Sequence, residues 1–169
     1  MPNVPCRRTV FRIGHMPKRW AKTLVAFLLE GYYGKFNAVL NGVRIVGIYG
    51  KVAIEAASLV QDRRASPTEA WRTAAQAIES ESSRRKGCPR STFIGLCESG
   101  RIRNIPAGNY GGRPGSKNAE YGVKMLDTLL KSPKLAEDRV LWHAIGNDGL
   151  SPNGQMDVVI SLWRAGKLI

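Results

Sequence analysis

Histidine is scarce in this chain of 169 residues, which has only His15 and His143. Neither has a nearby serine or cysteine in the sequence that it could activate as a nucleophile. His143 follows Trp142 in an apolar segment, and this setting favours a partly buried structural histidine over a catalyst. The chain also lacks a paired-carboxylate nuclease pattern, a GxxxxGK[ST] phosphate loop and an HExxH motif. The sequence therefore predicts no catalytic residue.

Cysteine is almost as rare, and its three copies are Cys6, Cys88 and Cys97. An odd number without a CxxC pair or a Cys/His cluster does not fit a zinc site or a disulfide framework. We therefore expect no metal and no cofactor. Reduced thiols are typical of a cytoplasmic protein, which is the location that this pattern favours.

Long hydrophobic runs are absent as well. The most apolar stretch, Thr23 to Leu29, is interrupted by Glu30 and is far shorter than the roughly 20 residues of a membrane-spanning helix. Basic residues precede this stretch, as in a signal peptide, but no small-residue cleavage site follows it. The sequence predicts an unprocessed, soluble protein with no membrane partner.

Acidic residues are outnumbered two to one: 13 against 26 basic residues, giving a net charge of +13 and a pI near 10.2. The excess is confined to two stretches. Residues 1–48 carry +7 and residues 84–117 carry another +7, while the remaining residues sum to −1. Such segregation indicates a surface that attracts a polyanion, because an evenly solvated protein has no need to collect its charge.

Residues 1–48 are predicted to form a basic N-terminal arm, a helix and a β-hairpin. Trp20, Leu24 and Leu28 recur at helical spacing, and Gly31 can end that helix in the left-handed conformation. Asn41-Gly42 lies between two short apolar runs and favours a two-residue turn, because both of its positions require positive φ.

Residues 49–169 have a helical pattern throughout and are predicted to form one helical domain. The fold class is therefore mainly α: a compact multi-helix domain with one N-terminal β-hairpin and a helix-turn-helix-like element. Residues 79–86 are expected to form a polar loop, and the glycine- and proline-rich residues 104–116 a loop or wing. The expected helices run through Val52 to Val60, from Ser66-Pro67 to Ile78, Pro89 to Ser99, Lys117 to Lys131, Glu137 to Ile145 and Pro152 to Ala165.

The spacing of apolar residues also predicts which side chains face the core. The second helix should bury Ala70, Trp71, Ala74, Ala75 and Ile78. The third should bury Phe93, Leu96 and Cys97, and the fourth Val123, Leu126, Leu129 and Leu130. The fifth should bury Val140, Leu141 and Trp142, and the sixth Met156, Val159, Ile160 and Trp163.

Several distinctive segments after Tyr49 are similar to those of a family of small bacterial proteins of unknown function. The segments are YGKVAIEAA, PTEAW, KGCPRSTFIGLCESG, IPAGNY, NAEYGVKMLDTLL and GQMDVVISLW. The resemblance extends to Ile169 and implies a shared fold, but no activity. Residues 1–48 lie outside it.

Residues 89–108 also resemble the second helix and following strand of excisionase-type and MerR-type winged helices. Those proteins place a Ser-Thr pair at the start of the helix, apolar residues on its inner face, and then a glycine and an isoleucine. Ser91, Thr92, Phe93, Leu96, Gly100 and Ile102 occupy these places here. The resemblance implies that Arg90, Ser91 and Thr92 would be nearest the base edges if this helix entered a major groove.

The function that we expect is therefore non-enzymatic nucleic-acid binding, with DNA favoured over RNA. Arginine can bond guanine through two hydrogen bonds, and basic side chains flanking the helix would neutralise phosphates. Tyr110 could stack on a base or bond the backbone. The predicted binding residues are Arg84, Arg85, Lys86, Arg90, Ser91, Thr92, Arg101, Arg103, Tyr110, Arg113 and Lys117.

Two alternatives remain open. The last helix could serve as the face of a homodimer or another protein-interaction module, with Met156 and Trp163 as anchors, although burial inside the domain is the simpler interpretation. An enzyme is the other alternative, because catalytic residues converge in space and need not be adjacent in sequence.

Overall fold

A computed structural model describes residues 47–137, 140–147 and 149–169, and the backbone of two short strands before them. The chain divides into two units, Met1–Gly34 and Lys35–Ile169, and all described residues belong to the second. The predicted basic arm and the predicted helix from Trp20 to Leu28 lie outside the described residues.

The described residues form a mainly helical fold, as the sequence predicts. The strands are β1 (Val39–Leu40) and β2 (Val43–Arg44). The helices are α1 (Gly47–Gln61), α2 (Pro67–Ala74), α3 (Glu81–Arg84), α4 (Gly87–Glu98), α5 (Lys117–Lys131), α6 (Leu141–Ala144) and α7 (Gln155–Arg164). Short 3-10 helices extend α2 over Ala75–Ala77 and follow α5 over Pro133–Ala136.

Strands β1 and β2 pair antiparallel, with Val39 opposite Arg44 and Leu40 opposite Val43. The Asn41-Gly42 turn between them lies outside the described residues, so the hairpin stays a prediction. Helix α1 starts at Gly47, slightly before the expected start of the helical domain at residue 49.

The start of α2 is confirmed by its local chemistry. Ser66 caps the helix: its side chain accepts a hydrogen bond from the Glu69 amide, and the Glu69 carboxylate accepts one from the Ser66 amide. Pro67 occupies the first turn, where its missing N–H costs nothing. The hydrogen bonds from Ser66 lower the pKa of Glu69, because they stabilise the charged carboxylate.

Helix α4 is the centre of the described domain. Residues 92 to 97 are buried without interruption, so neighbouring elements surround the helix instead of covering one face. Two glycines allow α5 to pack this closely. A Cβ at Gly95 would lie 2.4 Å from the Ala119 Cβ, and one at Gly122 would lie 2.9 Å from the Thr92 Cγ2.

Helices α1 and α7 also approach each other closely at a glycine. A Cβ at Gly50 would lie 2.1 Å from the Ser161 Oγ. Helix α7 buries Met156, Val159 and Ile160, as predicted, and Trp163 is half-buried. The side chains suggested as anchors of a dimer face therefore lie in or against the domain's own core.

Three sequence predictions about elements are wrong. Residues 79–86 do not form a continuous loop, because Ser80 caps the short helix α3. The predicted fifth helix, from Glu137 to Ile145, is α6 in the structure and covers only Leu141–Ala144. Leu130 and Val140, both predicted to be buried, are about half exposed at 50% and 47%. The ends of the predicted third and sixth helices, which are α4 and α7 in the structure, are confirmed. Gly100 follows α4 and Gly166 follows α7, with positive φ of 67° and 64°.

No helix in the described ranges combines the length and the apolar character needed to cross a bilayer.

Candidate nucleic-acid interface

Helix α4 does not have the exposed face that a recognition helix needs. Thr92, predicted to contact bases, is completely buried. Its hydroxyl lies 3.1 Å from the Cys88 carbonyl and 3.0 Å from the Asn118 carbonyl, so it ties α4 to α5. Ser91 is half-buried beside it. The helix-turn-helix-like element is therefore not supported, since a helix surrounded by its own domain cannot enter a groove.

A basic cleft lies instead where α2, α3 and the first turn of α4 meet. It has a volume of about 460 Å³. Five cationic side chains line it and one carboxylate, Glu81, accompanies them. The cations are Arg72 from α2, Arg84 and Arg85 from α3 and the residue after it, and Lys86 and Arg90 at the start of α4. Four of these five belong to the predicted binding set.

Arg84 has a structural role within the cleft. Its Nε and Nη2 atoms lie 3.1 and 2.9 Å from the Ile78 carbonyl, and Nη1 lies 3.4 Å from the Gln76 side-chain oxygen. Ile78 ends the 3-10 extension of α2, where carbonyl groups have no partner within the helix. The guanidinium satisfies that carbonyl, so Arg84 fixes α3 against α2.

The other cations leave more of their surface for a ligand. Arg85 pairs with Glu81 one turn earlier, and its side chain is 78% exposed. Lys86 donates to the Asn153 side-chain oxygen over 2.8 Å and is exposed. Arg90 is half-buried and forms no ion pair within the described ranges. Surface pairs of this kind contribute little to stability, about 0 to 1 kcal/mol, so a phosphate can compete for these groups.

Arg72 is the cleft residue that the sequence analysis missed. It is exposed and follows the buried Trp71 on α2. In the sequence it lies outside the basic stretch of residues 84–117, in a region whose charges nearly cancel. Only the packing of α2 beside α4 brings it to the cleft, and no pattern in the sequence could have shown this.

The remaining predicted cations do not line this cleft. Arg101 pairs with Asp127 of α5 at 3.0 Å, and Arg103 donates to the Gly166 carbonyl over 3.3 Å. Arg113 lines a second, smaller hollow between α4 and α5, and Lys117 is exposed at the start of α5. The +7 stretch of residues 84–117 is therefore distributed over several surfaces.

Tyr110 lies near the edge of the cleft, where it holds the glycine-rich loop together. Its hydroxyl donates to the Pro106 carbonyl over 2.7 Å, and its carbonyl accepts from Thr68, which lines the cleft. The Glu98 carboxylate accepts hydrogen bonds from the Tyr110 and Gly112 amides at 3.0 and 2.9 Å. The phenol is thus committed to the loop and is not presented as a stacking surface.

The described histidine and buried cysteine lie outside the cleft. His143 is exposed on α6, so the predicted partial burial is wrong. Burial raises the pKa of the Cys97 thiol far above its usual range, and the nearby Glu98 charge adds to this shift. A thiol in this state is a poor nucleophile. Among the described residues, no three His, Cys, Asp or Glu side chains gather where they could hold a metal ion.

Three comparisons with known proteins gave one match, to a protein family. No curated protein and no solved structure matches the chain, so the likeness of residues 89–108 to winged helices has no support from a known fold. The model of one protein family does match, and it covers residues 46–169, which include every helix described above. The chain belongs to the family of unknown function DUF6979.

Proposed function

We propose that this protein binds nucleic acid, DNA first, by contacts between the basic cleft and the phosphate backbone. The observation that carries the proposal is the composition of the cleft, whose described lining has five cationic side chains from three neighbouring segments and one carboxylate. A concave surface lined by charge of one sign concentrates its field and attracts polyanions. The excess charge of the whole chain, +13, acts in the same direction at long range.

Binding of this kind depends strongly on salt. Each phosphate that a protein neutralises releases condensed counterions, so the slope of log K against log salt is about −0.9 per phosphate on duplex DNA. Arg72, Arg85 and Arg90 are the cleft cations least involved in holding the fold together, as their contacts indicate. Removing them should make the slope shallower by about 2.7 if each meets one phosphate.

The test is a fluorescence-anisotropy titration of a labelled DNA duplex at several salt concentrations. The triple variant Arg72→Ala, Arg85→Ala, Arg90→Ala is compared with the unaltered protein. A matched control removes three exposed cations from elsewhere, Arg64, Lys131 and Lys134, and so has the same net charge. We expect weaker binding and a shallower slope in the cleft variant than in the control. Equal affinities and slopes in the two variants would reject the cleft.

Arg84 is kept in this design because of its bonds to the Ile78 carbonyl. An Arg84→Ala change would confound a loss of binding with a loss of structure. A cytoplasmic location, where the chain would meet nucleic acid and its thiols would stay reduced, is part of the same proposal.

A further inference from the structure

We propose that the basic cleft accepts the backbone of double-stranded nucleic acid in preference to a single strand, and that it does not read base sequence. This inference rests on the proposed function and specifies its ligand. Three features of the cleft carry it: the burial of its aromatic residue, the internal hydrogen bonds of its neutral polar groups, and the density of its cations.

The described residues of the cleft offer no aromatic surface for a base. Trp71 is the one aromatic side chain among them, and it is only 3% exposed. The indole packs on Phe93 in the core, with ring centroids 5.3 Å apart. Proteins that bind single strands depend on stacking of unpaired bases, worth about 1 to 3 kcal/mol per base. A single strand would therefore gain little here beyond its phosphate contacts.

The neutral polar groups of the cleft are already paired within the protein. The Thr68 hydroxyl donates to the Tyr110 carbonyl. The Gln76 side chain donates to the Arg72 carbonyl and accepts from Arg84. Serine, threonine, asparagine and glutamine read base edges with free donors and acceptors, so these two groups are poorly placed to discriminate bases. Arginine can also bond guanine, but it does so from an element that enters a groove. The cleft arginines line a concave surface instead, and α4 is buried from residue 92 to residue 97, so these side chains meet phosphates and not base edges.

The remaining lining groups are cations, and a cation gains more binding free energy from a duplex phosphate than from a phosphate of a single strand. A duplex carries one charge per about 1.7 Å of axis, and each phosphate contact contributes about 0.9 to the salt slope, against about 0.7 on a single strand. The same cations therefore release more counterions on a duplex, and the ligand that fits the cleft is a paired backbone of any sequence.

The experiment compares oligonucleotides on the full-length protein. The probes are two labelled 20-base-pair DNA duplexes, one AT-rich and one GC-rich, and one unstructured strand of each, titrated at 50, 100 and 200 mM salt. Without stacking to favour the strand, we expect each duplex to bind about tenfold or more tightly than its strand. The two duplexes should agree within about threefold, since one misread base pair alone costs about 1 to 3 kcal/mol.

The outcomes separate this inference from the proposed function. If the strands bind as tightly as the duplexes, or if the duplexes differ by more than tenfold, the inference is overturned. The proposed function survives that result provided that the cleft variant Arg72→Ala, Arg85→Ala, Arg90→Ala still weakens binding relative to its control. If no probe binds, or the variant binds like the control, both proposals fail. The comparison of probes on the unaltered protein stands even if that variant does not fold.

Discussion

Gly95 illustrates how a single missing side chain sets the distance between two helices. The nearest atoms to a Cβ at this position are the Ala119 Cβ and Cα, at 2.4 and 2.7 Å. The Cα belongs to the α5 backbone and cannot rotate away, so α4 and α5 would have to separate. Gly87 begins the same helix but has no atom within 4 Å of its Cβ position. The two glycines thus form a matched pair.

We predict that Gly95→Ala destabilises the protein by about 1 to 3 kcal/mol, the usual cost of overpacking a core. Gly87→Ala should change the free energy of unfolding by less than about 0.5 kcal/mol, as expected for an exposed site. Urea unfolding followed by circular dichroism measures both. Equal stabilities of the two variants would show that the helices do not approach each other this closely.

Thr92 distinguishes a structural hydroxyl from a base-reading one. Its side chain is buried and lies within hydrogen-bonding distance of carbonyls on both α4 and α5. Valine has the same shape without the hydroxyl, so Thr92→Val removes the hydrogen bond between the helices, while both carbonyls keep the backbone amides of their own helices. We predict a loss of about 0.5 to 1.5 kcal/mol in the free energy of unfolding, the net value of one hydrogen bond.

In the same variant, DNA affinity measured well below the melting temperature should stay unchanged. A lower DNA affinity with unaltered stability would mean that Thr92 contacts DNA, as the sequence predicted. The matched comparison is Ser91→Ala, a half-buried hydroxyl on the same turn.

The sequence predicts such residues only in part. The apolar spacing correctly places Phe93, Leu96 and Cys97 in the core. Thr92 escapes that analysis because a polar residue can be buried wherever a second helix supplies an acceptor, and the acceptor here is on α5. Periodicity describes one helix at a time, so it cannot show that α4 has neighbours on every side.

At the scale of elements, the link between α2 and α4 depends on Arg84. The composition of residues 79–86 predicts a polar loop, but part of this segment forms α3. Ser80 caps the helix, and the hydrogen bonds from Arg84 to the Ile78 carbonyl hold it against the end of α2. Arg85, the next residue, is largely exposed and pairs with Glu81. Two adjacent arginines with equal charge therefore have different roles.

We predict that Arg84→Ala lowers the free energy of unfolding by about 1 to 3 kcal/mol, the range for a hydrogen bond from a charged group to a buried acceptor. Arg85→Ala should stay within about 0.5 kcal/mol of the unaltered protein, because an exposed i, i+4 pair contributes only a few tenths. Thermal melts of the two variants provide the measurement. The prediction is wrong if Arg85→Ala is the more damaging change.

The glycine-rich loop after α4 is a second element that side-chain contacts hold in place. Its anchor is Glu98, whose carboxylate accepts the Tyr110 and Gly112 amides, and a Cβ at Gly112 would lie 2.3 Å from a carboxylate oxygen. The sequence predicts a loop here from glycine and proline alone. It does not predict order, because the stabilising partner is distant in the chain.

We predict that Glu98→Ala increases the hydrogen-exchange rates of the Tyr110 and Gly112 amides by about tenfold or more, since each loses a charge-assisted bond worth about 1.5 kcal/mol. Glu120→Ala removes an exposed carboxylate from α5 and serves as the control. Unchanged exchange at both amides in Glu98→Ala would mean that the loop is ordered by other contacts.

At the scale of the whole molecule, charge that is contiguous in sequence is not contiguous in space. The stretch of residues 84–117 supplies the cleft only from its first seven residues, and Arg72 joins them from another helix. Fold class was predictable because helical periodicity repeats over many residues. The cleft was only partly predictable because it depends on how three short segments pack.

The compact unit begins at Lys35, and the family match and the described helices together indicate which of its residues the helical fold needs. The family model starts at residue 46, and the buried core runs from Tyr49 to Leu168. We predict that residues 46–169 alone unfold cooperatively, with a melting temperature within about 5 °C of the full chain, because a shift of that size corresponds to only about 1 kcal/mol. Differential scanning calorimetry of both lengths tests this.

Binding then shows whether the basic residues before position 46 belong to the functional unit. Charges that act independently contribute additively, so we expect the change in salt slope caused by Arg72→Ala, Arg85→Ala and Arg90→Ala to be the same in both lengths. The absolute affinity should fall in the shorter chain, which loses eight basic residues and one acidic residue. If the folded shorter chain binds no DNA, the cleft is not sufficient and the interface must include residues 1–45.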